Sequence, residues 1–66
     1  MKKTFELYSS VGNESLKKIY NLYATEKTEI IKTVTDLLLN LKSKYPEIKT
    51  EFIVKQNNQQ ILHFTA

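Results

Sequence analysis

The absence of cysteine from a chain of only 66 residues most strongly limits what this protein can fold into. A domain of this size buries only about 60% of the surface that its unfolded chain exposes, so its core alone gives marginal stability. Small domains usually add disulfide bonds, a metal ion or a second subunit. Disulfides are excluded here, and one histidine without a thiol makes a zinc site unexpected. We therefore expect a single domain over residues 1–66, stabilised by close packing or by self-association.

Three segments are predicted to be β-strands. Residues 4–8, "TFELY", alternate polar and apolar side chains and include two aromatic rings. Residues 48–56, "IKTEFIVKQ", and residues 60–66, "QILHFTA", flank Asn57 and Asn58, which favour a tight turn. The last two strands are therefore expected to form a β-hairpin.

The length of the hairpin loop decides which side chains share a face. A two-residue Asn57-Asn58 turn would place Val54 opposite Ile61 and leave both faces half apolar. A three-residue loop would instead place Val54 opposite Leu62, and this register gathers the apolar side chains on one face. We predict the three-residue loop. The expected core face then comprises Phe5, Leu7, Ile48, Phe52, Val54, Leu62, Phe64 and Ala66.

An apolar stripe of helical period runs from Leu16 to Tyr45 and predicts a helix from Glu14 to Lys44, with Ser10 or Asn13 as its N-cap. Pro46 should end the helix, because it disfavours helical geometry at the preceding residue. The stripe keeps its phase across residues 24–28, "ATEKT", which favours one continuous or kinked helix. The alternative is a turn at "ATEKT" between two helices, since threonine caps helices well. The stripe comprises Leu16, Ile19, Tyr20, Tyr23, Ile30, Ile31, Val34, Leu37, Leu38, Leu41 and Tyr45.

The predicted fold class is α+β. It has a three-stranded antiparallel sheet with one long, kinked or split helix on one face, in the order β-α-β-β. A continuous helix would be roughly 46 Å long, whereas a seven-residue strand spans about 23 Å. Its first half would then extend beyond the sheet, which predicts self-association through Leu16, Ile19, Tyr20 and Tyr23. In that case the first two predicted strands would run parallel, and the third would lie between them, antiparallel to both. Two shorter helices would make them antiparallel and would permit a monomer.

No group of residues matches a known catalytic pattern. His63 is the single histidine, and general acid–base chemistry would need a polar partner beside it, for which Glu51, Lys55 and Tyr8 are the candidates. The single glycine, Gly12, excludes a glycine-rich phosphate loop. An ordinary surface histidine is the better interpretation. We expect no enzymatic activity, no cofactor and no metal.

The net charge of +3 and the isoelectric point of about 9.2 raise the possibility of nucleic-acid binding. All ten basic residues are lysine, however, and they are interspersed with the seven carboxylates along the chain. Arginine, the side chain most used for bidentate contacts to guanine and phosphate, is absent. A small DNA- or RNA-binding domain therefore stays the alternative function.

A second apolar group lies on the outer face of the predicted sheet, and we expect it to contact a target protein. Its members are Tyr8, Ile53, Ile61 and His63. The sequence therefore predicts a non-enzymatic protein-binding module, homodimeric, that acts as an accessory or inhibitor protein on a larger protein. Lysine as the only basic residue, with many Asn, Ile and Thr, is typical of AT-rich genomes and of their phages or mobile elements. The apolar run Leu37–Leu39 is far short of the roughly 20 residues that span a bilayer, so we expect a cytoplasmic protein without a membrane segment.

Overall fold

The computed structural model describes all of residues 1–66 and has four strands and one helix. Strands β1 and β2 precede helix α1, and strands β3 and β4 follow it. The four strands form one antiparallel sheet in the order β2-β1-β3-β4. The predicted α+β class, with one helix and an antiparallel sheet, is confirmed, but the predicted strand number and element order are wrong. The elements are β1 (Lys3–Val11), β2 (Lys17–Ala24), α1 (Lys27–Lys44), β3 (Thr50–Gln56) and β4 (Gln59–Thr65).

The first half of the predicted helix is strand β2, which pairs with β1 in a hairpin. Gly12 adopts a positive φ of 65° in the connecting loop, a conformation that costs glycine little. Its N–H donates to the carbonyl oxygen of Lys49 at 2.8 Å, and this bond joins the loop to the start of β3. Ser10 and Asn13, predicted as N-caps, thus lie at the end of a strand and in a hairpin loop.

The "ATEKT" segment is the place where β2 ends and α1 begins, so neither of the two predicted alternatives is right. β2 contains Ile19, Tyr20 and Tyr23, types that favour strands because they pack well on a pleated surface. Glu26 has an extended backbone at the N-cap, and the helix starts at Lys27. At 18 residues, α1 is about 27 Å long, close to the length of the strands beneath it. The long helix whose first half would have extended beyond the sheet is therefore absent.

Helix α1 packs on one face of the sheet through a narrow apolar stripe. Ile30 and Val34 are buried, and the half-buried Leu37, Leu38 and Leu41 continue the stripe toward the C-terminal end. The predicted end of the helix before Pro46 is confirmed, since the helix stops at Lys44 and the N–H of Tyr45 donates to the carbonyl oxygen of Leu41. No helix of the protein has the length and apolar character needed to cross a membrane.

The second hairpin has the turn of one predicted alternative and the register of the other. Asn57 and Asn58 both have positive φ, at 53° and 64°, and form a two-residue turn of the type that matches strand twist. The predicted three-residue loop is therefore wrong. A bulge near Val54 then shifts the register by one residue, so Val54 lies opposite Leu62 as predicted.

The core lies between α1 and the helix-facing side of the sheet. Seven buried apolar residues form it: Phe5, Leu7, Ala24, Ile30, Val34, Phe52 and Val54. Leu62 and Phe64 are half-buried against this cluster, which confirms most of the predicted core face. Ile48, which is 38% exposed, and Ala66 at the chain end do not belong to it. Only 10 of the 66 residues are buried, so the core is as small as the chain length implies.

The first two predicted strands, now β1 and β3, are neighbours and run antiparallel. This excludes the parallel arrangement expected with a continuous helix. It also places the side chains of β1 and β3 that alternate away from the core on one common surface, opposite α1.

Candidate functional site

The sheet face opposite α1 carries no other element of the chain, and we refer to it as the open face. Leu7 and Ser9 are buried on the helix side of β1, so Tyr8 between them points to the open face. Ile53 of β3 lies opposite Tyr8, and His63 of β4 lies opposite Ile53. These three side chains form a row across the sheet, which we call the central row.

The central row is partly shielded by its own members. Ile53 is only 9% exposed although no other layer covers it, because Tyr8 and His63 flank it on the two neighbouring strands. Tyr8 is itself half-buried, and the Nζ of Lys55 lies 4.6 Å from the centroid of its ring. This distance is typical of a cation–π contact. The row is thus an ordered apolar strip.

Charged side chains border the central row on both sides. Lys18 of β2 places its Nζ 3.3 Å from a carboxylate oxygen of Glu6. On the other side, Nε2 of His63 lies 2.9 Å from Oε2 of Glu51. With Lys55, the open face therefore carries two lysines and two glutamates around the row. Its charges are balanced, so the net charge of +3 is not concentrated there.

The pair of His63 and Glu51 is the arrangement in which proton-transfer chemistry would first be sought. Both side chains are well exposed, at 44% and 39%, and lie on a flat sheet surface. Ser10, which lies opposite Glu51 on β1, donates its hydroxyl to the carbonyl oxygen of Glu14 at 2.6 Å rather than to the histidine. General acid–base catalysis needs a base aimed at a substrate in a concave site, and the contacts of this pair are those of an ordinary surface hydrogen bond.

The one hollow on the surface has a volume of about 200 Å³. It lies at the end of β1 and is lined by Ser10, Gly12, Lys49 and Glu51, none of which is apolar. Sites for small molecules are usually larger and lined mainly by apolar side chains. No cluster of three or more His, Cys, Asp or Glu side chains is arranged to hold a metal ion.

The structure brings together three of the four residues predicted to face a target. Tyr8, Ile53 and His63 are adjacent in the central row. Ile61 does not join them, because it is the extra residue of the β4 bulge and packs against the core cluster instead. Leu22, which is not a member of the predicted apolar stripe, likewise packs against the core.

The four residues predicted for self-association lie on or beside the edge strand β2, not on a helix. Leu16 precedes the strand, and Ile19, Tyr20 and Tyr23 belong to it. All four are between 36% and 61% exposed. They remain the densest group of exposed apolar side chains on the protein, but they now border a free sheet edge. Whether they mediate self-association stays a prediction.

Two parts of the open face were missed from the sequence. Lys18 was assigned to a helix and therefore could not be placed beside Glu6. The contact of Lys55 with Tyr8 was also missed, since it depends on β1 and β3 being neighbours. Gly12-Asn13 is a dipeptide found in hairpin turns, and it was the signal that could have revealed β2.

Comparison with known proteins adds no relative to this picture. The chain matches no protein-family model, and searches of curated proteins and of solved structures find no significant similarity. Functional inference therefore depends on the open face and on the edges of the sheet.

Proposed function

We propose that this chain is a non-enzymatic protein-binding module that contacts a larger protein through its open face. The observation that carries the proposal is the central row, in which Tyr8, Ile53 and His63 lie side by side on a sheet face that nothing covers. Protein interfaces commonly have an apolar or aromatic centre within a polar rim, and tyrosine is enriched among their strongest contacts. The row and its bordering charged side chains have this composition.

The bordering charges support a protein target in particular. Glu6 and Glu51, together with Lys18 and Lys55, present both signs of charge to an incoming surface. Complementary charges at an interface orient the partner and exclude incorrect partners more than they add affinity. A target with an apolar strip between mixed charges fits this face.

A module of this kind acts by occupying part of the surface of its target, as an accessory or inhibitor protein. We propose that it does so in the cytoplasm and as a homodimer, with Leu16, Ile19, Tyr20 and Tyr23 on the self-association side. An origin from a phage or mobile element stays a prediction that is based on the lysine-only basic composition.

Affinity capture with matched variants tests the use of the open face. Wild-type protein, the double variant Tyr8→Ser/His63→Ser and the control Leu39→Ser would each be used to capture proteins from extracts of producing cells. Leu39 is 63% exposed on α1, on the opposite side of the molecule. We expect a target that is retained by wild type and by Leu39→Ser and is lost with the double variant. The purified complex would then be confirmed by light scattering.

A captured protein that the double variant retains would contradict the proposal, as would one lost equally with Leu39→Ser. Circular dichroism of all three forms separates loss of binding from loss of folding.

One observation favours nucleic-acid binding as a second candidate function. Lys55 lies over the ring of Tyr8 on an open antiparallel sheet, and Lys18 is on the same face. Aromatic side chains among lysines on such a face are used to stack and hold single-stranded nucleic acid. Glu6 and Glu51 on that face would repel phosphates, which places this function second. Fluorescence anisotropy with labelled single-stranded DNA and RNA at low and high salt tests it, since phosphate contacts weaken steeply as salt rises.

A further inference from the structure

Strand β2 pairs with β1 along one edge, and its other edge is free. β2 is the outermost strand next to β1, and its last five residues, "YNLYA" (residues 20–24), contain no charged side chain. Lys17 and Lys18 and a bulge at Ile19 protect only the first part of the strand. Natural edge strands are usually protected along their length by charges or bulges. The segment of residues 20–24 therefore lacks the usual protection against strand addition.

The hydrogen-bond pattern of the sheet identifies which backbone groups are free. Thr50 and Ala66 exchange both backbone hydrogen bonds, at 2.9 and 3.0 Å. In antiparallel sheets the residues of a strand bond alternately to its two neighbours. We followed this alternation from β3 through β1 to β2 with the observed registers. The backbone N–H and C=O groups of Leu22 then bond to β1. The N–H and C=O groups of Asn21 and Tyr23 then point outward.

The opposite edge, β4, lacks the accompanying apolar surface. None of its large apolar side chains is among the strongly exposed ones, whereas Ile19, Tyr20 and Tyr23 of β2 all are. Tyr23, at 61% exposure, is the most exposed of the three. Pairing at β2 would therefore remove more apolar surface from water than pairing at β4.

We propose that two copies of this chain associate through β2, antiparallel and in register about Leu22, to form one eight-stranded sheet. This deepens the homodimer of the proposed function but does not depend on the target. A two-fold axis at Leu22 pairs the unprotected segment with itself along its whole length. Asn21 then lies opposite Tyr23 of the second copy, and the outward groups of both residues form hydrogen bonds. Registers displaced by two residues would bring the bulge at Ile19 or residues beyond the strand into the pairing.

Side-chain size and charge agree with the Leu22 register. It places the large Tyr20 opposite the small Ala24 of the second copy, on the helix side of the joined sheet. It also leaves every charged side chain outside the paired segment, because residues 20–24 of one copy face residues 20–24 of the other.

The first test is the solution molar mass by light scattering across a range of protein concentrations. We expect a dimer of twice the 7.7 kDa chain mass. Asn21→Pro should raise its dissociation constant by at least about a hundredfold, because proline removes an outward N–H that the fold itself does not use. Thr65→Pro is the matched control, since the same alternation leaves its N–H outward on β4, and it should remain dimeric.

The register is tested by charge reversal. In the Leu22 register, residue 21 of each copy lies opposite residue 23 of the other. Asn21→Glu/Tyr23→Glu should therefore dimerise about tenfold more weakly than Asn21→Glu/Tyr23→Lys, because the first variant places like charges together twice and the second places opposite charges together twice. Circular dichroism confirms folding of every variant.

A monomer at all concentrations would overturn the proposal, as would a dimer that Asn21→Pro leaves intact. Equal dimerisation of the two charge variants would overturn the register. Capture of a target by a monomer through Tyr8 would leave the proposed target function standing. A β2 dimer that captures nothing would refute only that function.

Discussion

Val54 lies opposite Leu62, although the Asn57-Asn58 turn by itself would place it opposite Ile61. The bulge at Ile61 accounts for this one-residue difference in register. The turn satisfies the local preference of two asparagines for positive φ, and the bulge restores the register that the core requires. Local turn chemistry and core packing therefore conflict by one residue, and the edge strand accommodates the difference.

Deleting Ile61 should be tolerated. Without it, the same two-residue turn leads directly to Val54 opposite Leu62 in a regular ladder, and only the partial burial of Ile61 is lost. We expect a loss of about 1–2 kcal/mol in the free energy of unfolding, measured by urea denaturation. Nuclear Overhauser contacts between Val54 and Leu62 should persist. Deletion of Ile53 is the control, because β3 is paired on both sides and the chain should unfold. An unfolded Ile61 deletion would contradict this account of the bulge.

Leu7→Ala should unfold the protein or nearly so. Leu7 is completely buried in a core of seven residues. Removing a buried leucine side chain typically costs about 2–5 kcal/mol, which is a large part of the stability of so small a domain. Leu39→Ala is the control and should change stability by less than about 0.5 kcal/mol, because this side chain is exposed on the helix. Thermal unfolding followed by circular dichroism measures both; equal melting temperatures would contradict the assigned core.

Gly12→Ala should destabilise the first hairpin for a backbone reason alone. The φ of Gly12 is positive, and an added Cβ would meet its nearest atom, Cγ2 of Ile48, at 3.9 Å, which is ordinary contact. The expected cost is about 1–2 kcal/mol, the penalty for a left-handed backbone with a side chain. Gly12→Asn should cost less, since asparagine tolerates this conformation. Chemical denaturation of the two variants gives the comparison; the opposite order would argue against the positive φ.

Lys55→Met should weaken the protein slightly by removing the cation above the Tyr8 ring. An exposed cation–π contact is worth about 0.5–1 kcal/mol, and methionine keeps most of the apolar stem. Lys49→Met is the matched control, because Lys49 is an exposed lysine with no aromatic ring in contact. In a Tyr8→Leu background, Lys55→Met should have no further effect on the unfolding free energy. A double-mutant cycle with zero coupling would contradict the contact.

The second half of the fold could be predicted from the sequence because its signals agree with one another. The apolar stripe of α1, the stop before Pro46 and the register of Phe52 with Phe64 all follow from local patterns that the core reinforces. Tyr8, Ile53 and His63 were grouped correctly for the same reason, since strand alternation places all three away from the core. Ile61 was misplaced because nothing local marks the bulge.

Strand β2 was mistaken for part of a helix because its bulge gives its apolar residues helical spacing. Leu16, Ile19, Tyr20 and Tyr23 are spaced at three and four residues, as on one face of a helix. The bulge at Ile19 places two apolar residues in succession and breaks the alternation that would identify a strand. The helical spacing of these β2 residues is also, by coincidence, in phase with the apolar stripe of α1. The strand preference of isoleucine and tyrosine was the weaker signal, although it was correct.

The position of α1 on a single side of the sheet has a consequence for valency. Two copies joined at β2 about an axis perpendicular to the sheet keep both helices on one side. Both central rows then lie on the other side, with their centres roughly 30 Å apart at about 4.8 Å per strand across the sheet and about 3.3 Å per residue along it. A target that offers two contact strips at this spacing would be held at both, and its second contact would form at the high effective concentration of a tethered site. Weak individual contacts at Tyr8 would then suffice for tight retention.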